Sequence, residues 1–162
     1  MRTIKFKGKS KLKGLWNVGD LTHALGMVCI VPKDSFETSH RNLINVDPSS
    51  ICQFIGFHDK NGKEIYEGDV LRSDIYPFSC AQDGKRDNYF GIVFYDEESA
   101  SFGIMAAKNP EASVRGISDG VSDYISQEKL KNFEVVGNIH EEEWKQYREY
   151  VQTEEEKEAE DD

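Results

Sequence analysis

Six basic side chains crowd the start of this chain: Arg2, Lys5, Lys7, Lys9, Lys11 and Lys13, with no acid before Asp20. Such a row suits contact with phosphates, because each neutralised phosphate releases counterions and strengthens binding. The plainer reading is a solvated face, or one that attracts the chain's own acidic end. It is preferred here because a net charge of −10 opposes non-specific nucleic-acid binding. Asp20 and Asp69 each follow a glycine, and a turn-capping role suits them better than an acid–base pair.

Other chemistry is sought and not found. His23, His40, His58 and His140 lie scattered, without the paired spacing of a zinc site. There is no GxxxxGK[ST] or GxGxxG loop to cradle a phosphate and no GxSxG elbow for a serine nucleophile. No catalytic residue, cofactor site or metal ligand is therefore assigned, and the chain is not read as an enzyme. Cys29, Cys52 and Cys80 are an odd count with wide spacing, as expected of reduced thiols in a reducing cytoplasm. No apolar run approaches the roughly 20 residues of a membrane span, and no secretory leader is seen.

The elements that would position these groups are strands. Residues 1–13 read as a strand and a basic turn, with Ile4 and Phe6 alternating against lysines until Gly8 ends the run. Residues 15–21 give a second strand, with Trp16 and Val18 on one face. Residues 26–32 (GMVCIVP) give a buried third, closed by Pro32. Residues 33–45 are polar and read as a loop. Residues 51–58 form a strand that turns at Asn61-Gly62, the pair a type I′ hairpin favours, and 64–66 return. Gly68-Asp69 makes a second bend into the next strand. Residues 89–95 (YFGIVFY) and 101–105 make a hairpin, Ser126 caps one helical turn through Leu130, and 133–139 form the last strand. The long polar stretches 73–88 and 108–123 are of a length usually functional or mobile.

The end is different in kind. Of 30 acids and 20 bases, 11 and 3 fall within residues 141–162, a net of −8 that leaves the rest at −2. Acids at 141–143 suit the first turn of a helix over 141–152. Trp144, Tyr147 and Val151 form its apolar stripe, and Lys145 is placed four residues from both Glu141 and Glu149. Residues 153–162 cannot bury enough apolar area to offset their ordering, and read as an acidic, disordered tail. The fold expected is mainly β: one barrel-like or two-sheet domain over 1–152 with a C-terminal helix. Nine Phe, seven Tyr and two Trp supply its core.

Gln53-Phe54, Gly56 and the run from Asp59 through Asn61, Gly62, Gly68 and Asp69 to Val70 resemble the signature of the YopX family. The stretch 4–9, Trp16 with Gly19-Asp20-Leu21, and residues 134–139 are similar to its opening and closing patterns. The resemblance implies a β-rich, barrel-like domain encoded by a phage, prophage or other mobile element, cytoplasmic in its bacterial host. It implies no reaction. The expectation is an accessory protein that binds a host or phage protein through its long loops. A nucleic-acid-binding role for the basic strand is the alternative, an enzyme of unrecognised type a distant third, and self-association through an exposed strand edge an open question.

Overall fold

The computed structural model describes residues 1–33, 42–75, 86–111, 120 and 122–151. The chain is mostly strand, in two antiparallel sheets, and it divides into two compact units, Met1–Gly56 and Phe57–Asp162.

The first unit holds β1 (Phe6–Lys9), β2 (Trp16–Ala24), β3 (Met27–Val31), β4 (Ile44–Asn45) and most of β5 (Cys52–His58), in the order β4-β3-β2-β1-β5. Gly8 does not end β1. It sits inside the strand, where a Cβ would press on Val46 at 3.1 Å. The β2–β3 hairpin turns through Leu25 and Gly26, both at positive φ (53° and 74°), which is the type I′ pattern expected instead at Asn61-Gly62. A leucine there is strained, since only Gly, Asn and Asp visit that region routinely. Just past the edge strand β4, Val46 bridges Ser10 at the end of β1, with Lys11 N–H donating to the Asn45 carbonyl (3.1 Å) and Asp47 N–H to that of Lys9 (2.9 Å). The sheet thus curls back on the end of β1, but the described strands close no barrel. The buried core here includes Cys29, Ile30, Val31, Val46 and Cys52. Both cysteines are buried thiols, and Cys80 lies outside the described residues.

The end of β5 lies in the second unit and turns back there as its hairpin neighbour β6 (Glu64–Tyr66). The turn stands where expected, with another geometry. Gly62 N–H donates to the Asp59 carbonyl (3.0 Å), Gly62 has φ of 80°, and Asn61 keeps a negative φ. This is a three-residue loop, a tight turn followed by a left-handed glycine. The buried Asp59 side chain fixes it, Oδ1 accepting from Asn61 N–H (2.8 Å) and Lys63 N–H (2.9 Å) and Oδ2 from Val135 N–H (2.9 Å).

The second sheet runs β10-β9-β8-β7-β11, with β7 (Asp69–Ile75), β8 (Arg86–Asp96), β9 (Ser101–Ala107), β10 (Ser122–Tyr124) and β11 (Glu134–Asn138). β8 is central, and Phe90 through Val93 are buried on both faces, as a near-continuous apolar run requires. β4, β10 and the extension of β7 to Ile75 and of β8 back to Arg86 occupy parts of stretches read as loops. The rest of those stretches (34–41, 76–85, 112–119 and 121) lies outside the described residues, as does the acidic tail. At the Gly68 corner (φ 73°), Asp69 takes Tyr66 N–H on Oδ2 (2.8 Å) and Asn138 Nδ2 on Oδ1 (2.9 Å), the capping role expected of it. Burial, with the hydroxyl donated to Glu64, pushes Tyr66 far above the usual phenol range. Asp20 caps nothing comparable. It lies exposed in the middle of β2.

Ser126 caps α1 (Gln127–Leu130) through Lys129 N–H (3.3 Å), and Leu130 and Phe133 are fully buried. The C-terminal helix is a 3-10 helix, Glu142–Tyr150. With three residues per turn, i and i+3 eclipse. Trp144, Tyr147 and Tyr150 therefore share a face, their rings 5.8 and 6.0 Å apart in succession. They pack on Phe90, Val70, Ile92 and Ile139, with Val151 alongside. Tyr147 Oη donates to the Lys108 carbonyl (2.6 Å), and Lys108 N–H donates to Tyr150 Oη (2.9 Å). Lys145 pairs with Glu142, three residues away rather than four.

Candidate binding surface

β1 places its lysines as period two dictates. Lys5, Lys7 and Lys9 share one face. Lys5 Nζ lies 4.6 Å from the centre of the Phe54 ring, and Lys7 and Lys9 lie 4.7 and 5.4 Å from that of Trp16. The register accounts for this, since Lys9 pairs with Trp16 across the β1–β2 ladder and Phe54 N–H donates to the Lys5 carbonyl. These are cation–π contacts on a partly buried face. Arg2 precedes the strand and is exposed.

Lys11 and Lys13 belong to a different feature. After β1 the chain makes a hydrogen-bonded turn. Gly14 N–H donates to the Ser10 carbonyl (2.7 Å), Ser10 N–H to that of Leu15 (2.9 Å), and Lys13 N–H to Ser10 Oγ (3.2 Å). This holds Lys11, Leu12 and Lys13 at the tip. With Asn17 of β2 and Leu43–Asn45 at β4, the turn lines a groove of about 690 Å³, within the range of ligand pockets. Its aliphatic lining is unusually open: Leu12 is 90% exposed, Leu15 63% and Leu43 45%. Among the described residues two lysines and no acid line it. The basic row expected as one surface is thus two, a lysine–aromatic strand face and a lysine–leucine groove. Leu12, Leu15 and Leu43 escaped the sequence reading, although the alternation Lys11-Leu12-Lys13 at a turn was a signal that apolar groups would stand outside the core.

The signature residues Asn61, Gly62, Gly68 and Asp69 do not join either surface. They shape the hairpin and the corner of the second unit. Among the described residues no three His, Cys, Asp or Glu side chains gather to hold a metal ion, and no helix is long and apolar enough to cross a membrane.

A sequence model of the family described as YopX protein matches residues 10–143. The chain belongs to the YopX family. The YopX match begins at Ser10, so it takes in the groove and both signature bends, while Lys5, Lys7 and Lys9 precede it. No curated protein matches the chain. Among solved structures it is similar to protein EF1440 from Enterococcus faecalis, at 17% identity over 89% of this chain and 99% of that one, with a TM-score of 0.42.

Proposed function

We propose that this YopX protein is a non-enzymatic accessory factor of a phage, prophage or other mobile element. It acts in the cytoplasm of a bacterial host by holding another protein at the groove beside β4. The observation that carries this reading is the concentration of exposed leucines, Leu12, Leu15 and Leu43, around one concavity. Single exposed aliphatic residues are ordinary on a protein surface, whereas several gathered in one place mark a contact site. Family membership and the lack of any catalytic motif in the sequence support the rest.

The test is retention of partners from lysate of a host carrying the element. The wild-type chain is expected to retain a host or element-encoded protein that a Leu12→Asp, Leu15→Asp variant loses. Recovery of identical proteins by both, or of the chain alone, defeats the reading.

A second reading rests on the strand face, where Lys7 and Lys9 stand over the partly exposed Trp16 and Lys5 beside the buried Phe54. Basic grooves with aromatic platforms are how single strands are bound without sequence preference. Charge reversal at Lys5, Lys7 and Lys9 is then expected to weaken oligodeoxythymidylate binding by at least about tenfold and to flatten its salt dependence. Unchanged affinity ends this alternative.

A further inference from the structure

The groove also restricts what its occupant is made of, an inference that rests on the protein-binding reading above. We infer that it takes a peptide segment presenting leucine-like side chains flanked by carboxylates. Leu12, Leu15 and Leu43 offer aliphatic surface that only an apolar side chain can cover without stranding a polar group. Lys11 and Lys13 bracket Leu12 at the tip of the turn, and among the described residues no acid joins them in the lining. Cations placed so, beside apolar walls, favour an anionic partner and repel a basic one. A carboxylate on either side of the inserted apolar residue meets both conditions.

Two other anionic occupants fit less well. A bilayer surface meets exposed leucines and lysines readily, but it lies flat and cannot follow a concavity of about 690 Å³. A nucleic-acid strand needs rings to stack on, and the described residues of the lining are aliphatic and polar, with no aromatic among them.

The test is fluorescence anisotropy of the full chain with three labelled peptides. In one, leucines are spaced by glutamates. In the second, lysines replace the glutamates, and in the third, serines replace the leucines. Anionic phospholipid vesicles and oligodeoxythymidylate serve as the other probes. The leucine–glutamate peptide is expected to bind saturably, and the other two peptides are not. Lys11→Glu with Lys13→Glu weakens it by about tenfold, as two rim charges warrant, and Leu12→Asp abolishes it. All three positions are exposed, so the variants keep the wild-type circular dichroism spectrum and urea midpoint.

Equal binding of the lysine peptide, full binding of the leucine-free peptide, or a preference for vesicles or oligonucleotide overturns the inference. A photo-crosslinker at position 12 separates it from the broader reading. Capture of a host protein that the leucine–glutamate peptide does not displace leaves the protein-binding role standing and removes this one. Failure of both capture and peptide binding removes both.

Discussion

Asp59→Ala is expected to lower the stability of the second unit by roughly 3–5 kcal/mol, a large part of what a domain of this size has. The side chain is buried and takes three backbone N–H groups, two local and one distant in sequence. Asn61 and Lys63 belong to the hairpin and Val135 to β11. Alanine takes the acceptor from three part-buried hydrogen bonds, and a donor left unpaired away from water costs about 1–3 kcal/mol. Asn is the informative companion. Its Oδ1 keeps the two hairpin donors, but its Nδ2 confronts Val135 N–H, donor against donor, so Asp59→Asn should fall between alanine and wild type. Urea unfolding followed by Trp144 fluorescence, in a Trp16→Phe background, reads this unit. A loss below about 1 kcal/mol for alanine means that Asp59 is not the clasp between hairpin and strand.

Gly19→Ala is expected to be comparably damaging in the first unit, by about 3 kcal/mol, the upper end of ordinary overpacking costs. A Cβ on Gly19 would lie 2.0 Å from the Val31 carbonyl oxygen, 2.6 Å from its carbon and 2.9 Å from Pro32 N. All three atoms are backbone, so no side chain can swing aside. The chain leaving β3 would have to lift off β2, where Asp20 pairs with Val31. The gain from replacing a strand glycine by alanine, about 0.5–1 kcal/mol, does not offset this. Trp16 fluorescence in a Trp144→Phe background reports the midpoint. A Gly19→Ala chain that unfolds with the wild-type midpoint shows that β3 does not cross so close.

The contrast between these two residues says what the sequence could tell. Strands with period-two or continuous apolar runs were legible: residues 26–32 against Met27–Val31, 64–66 against Glu64–Tyr66, and 89–95 within Arg86–Asp96. So was the Ser126 cap, because a cap is set within four residues. The turn at Asn61-Gly62 was legible as a turn and not as a type. Its geometry is decided by Asp59, whose second oxygen answers to Val135, 76 residues on. The type I′ hairpin fell to Leu25-Gly26, a pair with no turn preference at its first position, held there by the ladder from Asp20–Val31 to Ala24–Met27. β4 and β10, two and three residues long, are too short for any period to show. The lysines of the candidate site were visible one by one. Their division between a strand face and a groove was not, because Leu12, Leu15 and Leu43 meet only when β4 returns to the end of β1.

The C-terminal aromatic face has a consequence for how this region tolerates length change. Trp144, Tyr147 and Tyr150 reach Phe90 and Lys108 because the backbone repeats every three residues. Removing or adding three residues among them keeps the later rings on the same face, displaced by one turn along the axis. One residue more or fewer swings every later ring about a third of a turn, away from Phe90 and toward water. Indels of three amino acids are therefore expected to be the least disruptive here, a phase set by packing and not by the reading frame.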